Sequence, residues 1–506
     1  MEARVGRVVV ALMGVLLVAV GSVAVVAPVP VFTTYRQPVV VLVAVLFVVV
    51  ALAWRPPALL RRAVASRWTA PAVAVAGGWV AVVVATSLRF PWSWDLGAVH
   101  QIARVLYAGE PLSPWRVGYL SRYPNIHLLV DLHRSTLWVE ERTGWAADTV
   151  LVVLVALAAG AGTWLVHPLV APVAGRVRAV AAQLVVLALV ATSPWVAVPY
   201  TDVLALPLVT AAVLLVLRAS RRRDPLAVVQ LLASAALAAL AIALKTTPLV
   251  LLVAVAVVGL LAAVDARASR REVLAVVGGT LTWLVVTLGL VLALTGAATR
   301  AVGDVGLREG ASPPPLWWVA NGMTPVASPG HPTRYGGYNG VMLAAVADLD
   351  REAATRWSAE WIEARYAGEG VGGLARFYAT KAAWNWGDGM FWAWGEGRDA
   401  RPETLRPADG LAGWVRDVDG PHGRWYPVRS DLAQGLWIAV VVLAGMGALG
   451  TRSPPREVVL LPLTLLGVAA FTLLSQGRSR YLLTFVPLVV ALAAMVAPRV
   501  TGRRRP

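Results

Sequence analysis

The chain has 506 residues, 58% hydrophobic and 14% charged, with a net charge of +17 and no cysteine. A soluble domain carries roughly 25% charged residues, so a soluble globular protein is excluded, and the missing cysteines exclude disulfides, thiolate catalysis and cysteine metal sites. The positive charge does not point to nucleic acid: most arginines lie in short loops between apolar runs, where they set membrane orientation, and no basic-aromatic nucleic-acid module is present.

Apolar runs of about 18 to 22 residues can each cross a hydrocarbon core of roughly 30 Å. In chain order they predict twelve spans: 8–27, 38–54, 72–88, 148–166, 180–197, 200–217, 226–244, 246–264, 273–294, 433–450, 458–475 and 481–498. The expected fold class is therefore an all-α polytopic membrane protein, and so many spans argue against reading the first as a cleaved signal peptide. Arginine clusters follow every second span, at Arg55 to Arg67, Arg176 and Arg178, Arg218 to Arg223, Arg267 to Arg271, Arg452 and Arg456, and Arg499 to Arg505. With both termini cytoplasmic in a plasma membrane, all six clusters fall on the cytoplasmic side, as the positive-inside rule requires.

Two long segments then lie outside. The first, 89–147, belongs to an N-terminal transmembrane module, 1–294. The second, 295–432, is rich in Trp and Gly and large enough to form its own domain. A C-terminal group of helices with a basic cytoplasmic tail, 433–506, completes the chain. Apolar periodicity over "REAATRWSAEWIEARYA" and "GGLARFYATKAAWNW" predicts two helices in the second segment. Its aromatic density suits a domain resting on the membrane interface. No internal repeat is visible, so an inverted-repeat transporter gains no support.

Polar residues converge on the outer face. Asp95 opens the first long loop in "PWSWDLGAVHQIA". "SRYPNIHLL" carries Arg122, Tyr123 and Asn125. "VPYTDVLALPL" places Tyr200 and Asp202 in a tight turn, "ALKTTPLV" places Lys245 in another, and "SQGRSRY" adds Arg478, Arg480 and Tyr481. Ionisable residues near headgroup depth are costly unless paired or functional. Lys and Arg there suit a phosphate, and a carboxylate suits a general base. Each position also has a plainer reading. Asp95 and Asp202 can cap helices, Lys245 can snorkel, and Arg478 and Arg480 can meet lipid headgroups. Only Lys245 and Lys381 are lysine among the cations; coding bias explains that, or a site where a compact ammonium works and a guanidinium does not. His100, His127 and His133 match no familiar ligand spacing, so no metal site is expected.

The order of these motifs resembles the GT-C class of integral-membrane glycosyltransferases, most of all the bacterial polyprenyl-phosphate-sugar-dependent branch. In that branch "YPNN" stands in the first loop and "YSDT" follows; here the segments read "YPNI", with Ile126, and "YTDV", with Val203. "YNGV" and "KAAWNWGDGMFWAWGEG" also look like that branch, in which a lysine precedes a "WGDG"-type segment. The resemblance covers roughly 90–490 and implies a GT-C-like bundle of about 12 transmembrane helices with two large extracytoplasmic loops. It also implies a sugar donor on a polyprenyl phosphate, and a glycan, lipid or protein acceptor entering from outside. The family's base, the first-loop acid, maps onto Asp95. Sugar transfer from a phosphate leaving group needs a base, cations for the phosphate and a pocket for the ring. We assign these to Asp95, to Lys245, Arg478 and Arg480, and to Asp202 and Tyr123. Arg122, Asn125, Tyr200, Lys381, Trp386, Asp388 and Tyr481 complete the expected substrate-binding set, with the tryptophans either stacking on sugar or anchoring the interface. No cofactor is implied, and metal dependence stays open. The product is expected to be inverted.

Three rivals carry weight: a lipid-linked glycan transporter or flippase, an oligosaccharide ligase or polymerase, and a non-catalytic scaffold. A transporter calls for charged or broken helices at mid-membrane, whereas the span interiors here are almost uncharged.

Overall fold

The computed structural model of the chain describes residues 2–29, 33–53, 57–265, 270–328, 331–395, 408–452 and 454–497. Of the arginine clusters, Arg55, the segment 267–269 and the tail from Arg499 lie outside the described residues. All the predicted spans coincide with helical segments. Among the described residues, nine helices are long and apolar enough to cross a membrane. Gln37–Ala53 and Val458–Leu474 contribute shorter apolar helical stretches. The chain is rich in Val, which has only modest helix propensity in water. Inside a bilayer the choice is forced, because an uninterrupted helix satisfies its own N–H and C=O groups.

Small residues let helices approach closely, as expected where burial gives no hydrophobic gain. Gly78 of Thr69–Ser87 meets Gly160 of Ala147–Ala174, where an added Cβ would lie 3.0 Å from the Gly78 Cα. Gly445 of Tyr426–Gly450 lies against Glu2–Val26; a Cβ there would sit 3.1 Å from the Gly14 carbonyl.

The remaining predicted span, 180–197, is broken. It runs as Arg176–Val186, a π-helical stretch Leu187–Ala191 and a 3-10 turn Pro194–Ala197. Arg429 supplies donors to the wide turn: its Nη2 donates to the Ala188 carbonyl (3.3 Å) and to the Thr192 carbonyl (3.1 Å) and hydroxyl (2.9 Å). The last span is likewise split, into a 3-10 turn Ser479–Phe485 and a helix Val486–Val496.

Two multi-helix segments project from one end of the bundle, here termed the loop end. The first holds Trp94–Tyr107, Pro114–Arg122 and His127–Thr143. The second holds Pro315–Gly322, a two-stranded antiparallel hairpin of Pro325–Ser328 with His331–Tyr335, then Gly340–Val346, Arg351–Trp386 and Gly410–Asp419. The two helices predicted within 351–386 are both present and meet at Gly370, whose φ of 62° and ψ of 178° break the helical path. Such a φ favours glycine, which lacks the Cβ that penalises it. Arg270–Val302 runs 33 residues, roughly 50 Å of helix, and so outreaches a bilayer core. Its final turns hold the first loop segment: Thr299 Oγ1 lies 3.0 Å from His127 Nδ1, and the Ala301 carbonyl accepts from Arg134 at 2.6 Å.

Candidate active site at the loop end

The site begins with residues that open helices. Asp202 stands in the first turn of Thr201–Ala219, but the N-cap is Tyr200. The Asp202 side chain therefore turns inward and is 1% exposed. A carboxylate so buried requires cationic partners or strong hydrogen bonds. It has two: Lys245 Nζ donates to Oδ1, and Arg480 Nε lies 3.4 Å from Oδ2. Lys245 follows the last residue of Pro225–Leu244, and Arg480 opens the split last span. Thr484 Oγ1 donates to the Asp202 carbonyl at 2.9 Å and fixes the two elements together.

Aromatic faces surround these cations. Lys245 Nζ sits 4.8 Å from the Tyr481 ring centre. The Arg480 guanidinium lies 5.3 Å from Tyr200, 5.5 Å from Tyr481 and 5.8 Å from Trp195. Arg478, also buried, lies 5.6 Å from Trp392. Such contacts stabilise a desolvated cation by about 2 kcal/mol. Burial pulls the Lys245 ammonium down to about 8, with Asp202 acting in the opposite direction. Neither the snorkelling nor the headgroup reading of these cations matches their burial.

Asp95 lies in the first turn of Trp94–Tyr107, whose N-cap is Ser93. Its carboxylate is exposed, and Oδ1 accepts a hydrogen bond of 2.7 Å from the Tyr119 hydroxyl. Burial, and then the Asp95 charge, push the Tyr119 phenol far above its ordinary value, so the phenol remains the donor. Trp94, immediately before, holds a φ of 57°, a left-handed conformation that costs a bulky residue about 1 kcal/mol or more. Tyr119 and Tyr200 pack against the same apolar cluster, and the Tyr200 ring faces Arg480 at 5.3 Å. The first-loop acid and the buried ion pair are thus joined through these aromatic rings.

Tyr123 packs edge-on against Tyr119 at 5.0 Å, and its hydroxyl lies 3.3 Å from that of Tyr338 in the "YNGV" segment. Trp115 stacks on Tyr119 at 5.5 Å. Both loop segments therefore contribute to one aromatic rim beside Asp95. Arg122, half-buried, ends Pro114–Arg122, and Asn125, exposed, lies in the 3-10 turn Pro124–Ile126 that follows.

Three expected residues serve other contacts. Asp388 accepts four hydrogen bonds: from Tyr35 Oη (2.5 Å), Ser479 Oγ (2.7 Å), and the amides of Met390 (3.0 Å) and Trp392 (2.7 Å). These bonds hold a turn in which Phe391, Trp392 and Trp394 have φ of 52°, 65° and 67°. Burial and the Asp388 charge push the Tyr35 phenol well up, keeping it a donor. Trp386 is buried in the main core, its carbonyl accepting from Trp437 Nε1 at 2.7 Å. Lys381, fully buried, donates to the carbonyls of Gly322, Leu473 and Ser475, each at 2.7 Å, while burial pulls its ammonium down to about 7.

Tyr119 and Trp195 escaped the sequence reading, whereas Trp392 lay among the tryptophans read as a stacking or anchoring surface. Trp195 lies inside an apolar run that looked like uniform span, and Tyr119 lies in a short helix with no motif around it. Only "YNGV" gave a signal for Tyr338.

The histidines form a separate pair. His100 Nδ1 and His133 Nδ1 are 3.3 Å apart, His133 Nε2 lies 3.2 Å from the Pro199 carbonyl, and His100 Nε2 lies 3.4 Å from Asp148. Burial pulls His133 down to about 3, so it is neutral near pH 7. Among the described residues, no group of three His, Cys, Asp or Glu is placed to hold a metal.

A family model described as "Conserved hypothetical integral membrane protein" matches residues 13–501. No curated protein matches the chain significantly. Among solved structures, ArnT from Cupriavidus metallidurans bound to undecaprenyl phosphate is similar at 16% identity and a TM-score of 0.34, over 85% of this chain and 78% of that one.

Proposed function

The chain belongs to the conserved hypothetical integral membrane protein family, and we propose that it is a glycosyltransferase of the GT-C type. In this reading it moves a sugar from a polyprenyl phosphate to a hydroxyl acceptor at the loop end, on the extracytoplasmic side of the plasma membrane. The motif order described above supports the class. The observation that carries the reaction is that Tyr119, which holds the exposed Asp95, packs on the same apolar cluster as Tyr200, whose ring lies 5.3 Å from Arg480 of the buried Asp202–Lys245–Arg480 cluster.

The steps follow from that geometry. Tyr119 donates to Asp95 Oδ1 and orients the carboxylate. Asp95 takes the proton of the acceptor hydroxyl as its oxygen attacks the anomeric carbon. The new C–O bond forms as the bond to the phosphate oxygen breaks, and the anomeric centre inverts. Lys245 and Arg480 carry two formal positive charges against one on Asp202, so a phosphate leaving group finds net positive charge preorganised for it. Tyr123, Tyr338 and Trp115 form an aromatic wall on which the sugar's CH faces can pack. Arg122 and Asn125 stand at the edge of that wall as acceptor contacts.

The test is Asp95→Asn in purified protein given a panel of polyprenyl-phosphate sugars, with transfer and hydrolysis followed by mass spectrometry. Loss of the base is expected to slow transfer about 10²–10⁴-fold while the thermal unfolding midpoint stays unchanged. Wild-type turnover in that variant removes Asp95 from the role.

A further inference from the structure

The opposite end of the bundle carries two adjoining hollows, of about 370 and 280 Å³, that share Arg218 and Arg221. The larger is also lined by Arg222 and Gln230. The smaller lies between the ends of Ala147–Ala174 and Thr201–Ala219, with Arg176 beside it. Thr201–Ala219 carries Asp202 in its first turn and Arg218 in its last, so these hollows lie roughly 24 Å along that helix from the candidate active site.

Their lining is of one kind at the rim and another in the wall. Among the described residues the charged lining groups are all arginine and no carboxylate lines either hollow, although Arg222 is paired with Asp224 at 2.5 Å. The wall of the smaller is apolar, with Leu169, Leu214 and Leu217. Pro168 and Pro172 of the same helix also line it; each lacks an N–H and pushes against the preceding turn. A free anion in water has no use for the leucines, and an uncharged lipid has none for the arginines. Basic recesses between membrane helices are suited to anionic headgroups, and guanidinium groups match phosphate oxygens with paired donors.

We propose that these hollows form a binding site for the phosphate headgroup of an anionic phospholipid. The phosphate is held by Arg218 and Arg221, and one acyl chain runs along Leu169, Leu214 and Leu217. The site is independent of the chemistry at the loop end.

The experiment uses the full chain in mixed phosphatidylglycerol and phosphatidylcholine, released for native mass spectrometry. Wild type is expected to retain phosphatidylglycerol in preference to phosphatidylcholine. R218Q/R221Q is expected to lower that retention about tenfold, while R270Q/R271Q, charge-matched but outside both hollows, leaves it unchanged. Full retention in R218Q/R221Q, or equal loss in R270Q/R271Q, overturns the site. A second measurement needs no variant. Phosphatidylglycerol added to delipidated wild type should raise the thermal unfolding midpoint, with no rise from phosphatidylcholine or from inorganic phosphate at equal concentration. No rise with phosphatidylglycerol, or an equal rise with inorganic phosphate, overturns the lipid assignment.

Discussion

Lys245 and Lys381 are both buried, yet one ammonium faces a carboxylate and an aromatic ring while the other faces three carbonyl oxygens. The Lys381 corner is closed. Three donors meet three acceptors, and Gly336 backs the ammonium so tightly that a Cβ there would lie 2.5 Å from Nζ. The Lys245 corner is a charge cluster, where one carboxylate is shared between two cations with an exposed acid nearby. A closed cage of carbonyls ties the end of Arg456–Leu474 to the second loop segment and has no capacity left for a ligand. The same rare residue type thus closes a hydrogen-bonded cage in one region and joins a charge cluster in the other.

The largest test of that contrast is Lys381→Met. It strands three carbonyls, and each unsatisfied buried acceptor costs about 1–3 kcal/mol. The variant is expected to lose about 3 kcal/mol or more, read as a large drop in the thermal unfolding midpoint in detergent. A midpoint equal to wild type would make Lys381 something other than a strut.

Lys245→Ala reverses the pattern. Arg480 remains within reach of Asp202, so the chain is expected to stay folded, while the apparent KM for a polyprenyl-phosphate sugar rises about tenfold, equivalent to about 1.4 kcal/mol of lost phosphate attraction. An unchanged KM with reduced stability would place Lys245 in the same class as Lys381.

A third test concerns acid. His133 holds Pro199, next to Tyr200 at the edge of the Lys245 corner. Its folded pKa, about 3, lies below the ordinary value of 6.5. Between those values the unfolded chain binds a proton that the folded chain does not. Its contribution to stability is therefore complete above about pH 6.5 and falls as the pH drops toward 3. Relative to His133→Gln, wild type is expected to lose about 1.4 kcal/mol per pH unit in that window, measured as unfolding midpoints between pH 7 and 4. Parallel pH profiles would show that His133 is not held neutral by burial.

Much of the architecture was legible. The apolar runs marked the helices, including both within 351–386, because a residue run too apolar for water must satisfy its backbone within itself. Boundaries were less accurate where a helix continues beyond the apolar stretch: Arg270–Val302 extends past the predicted end at 294, and Tyr426–Gly450 starts before 433. There, polar and aromatic residues remain helical because they pack against a loop segment. The breaks at Leu187–Ala191 and Ser479–Phe485 left no mark in hydropathy, since π and 3-10 turns can be as apolar as α-helix.

The sequence by itself determined an all-helical membrane chain, the two long loop segments, and the short list of ionisable residues set close to them. Local periodicity and hydrophobicity carry that much, because they decide how each stretch satisfies its own backbone. Only the tertiary structure decided that Asp202, Lys245 and Arg480 meet, that Tyr119 holds Asp95, and that Lys381 and Asp388 are consumed by internal hydrogen bonds. A buried charge is defined by the partners that replace its water, and those partners come from helices distant in the chain, brought together by packing.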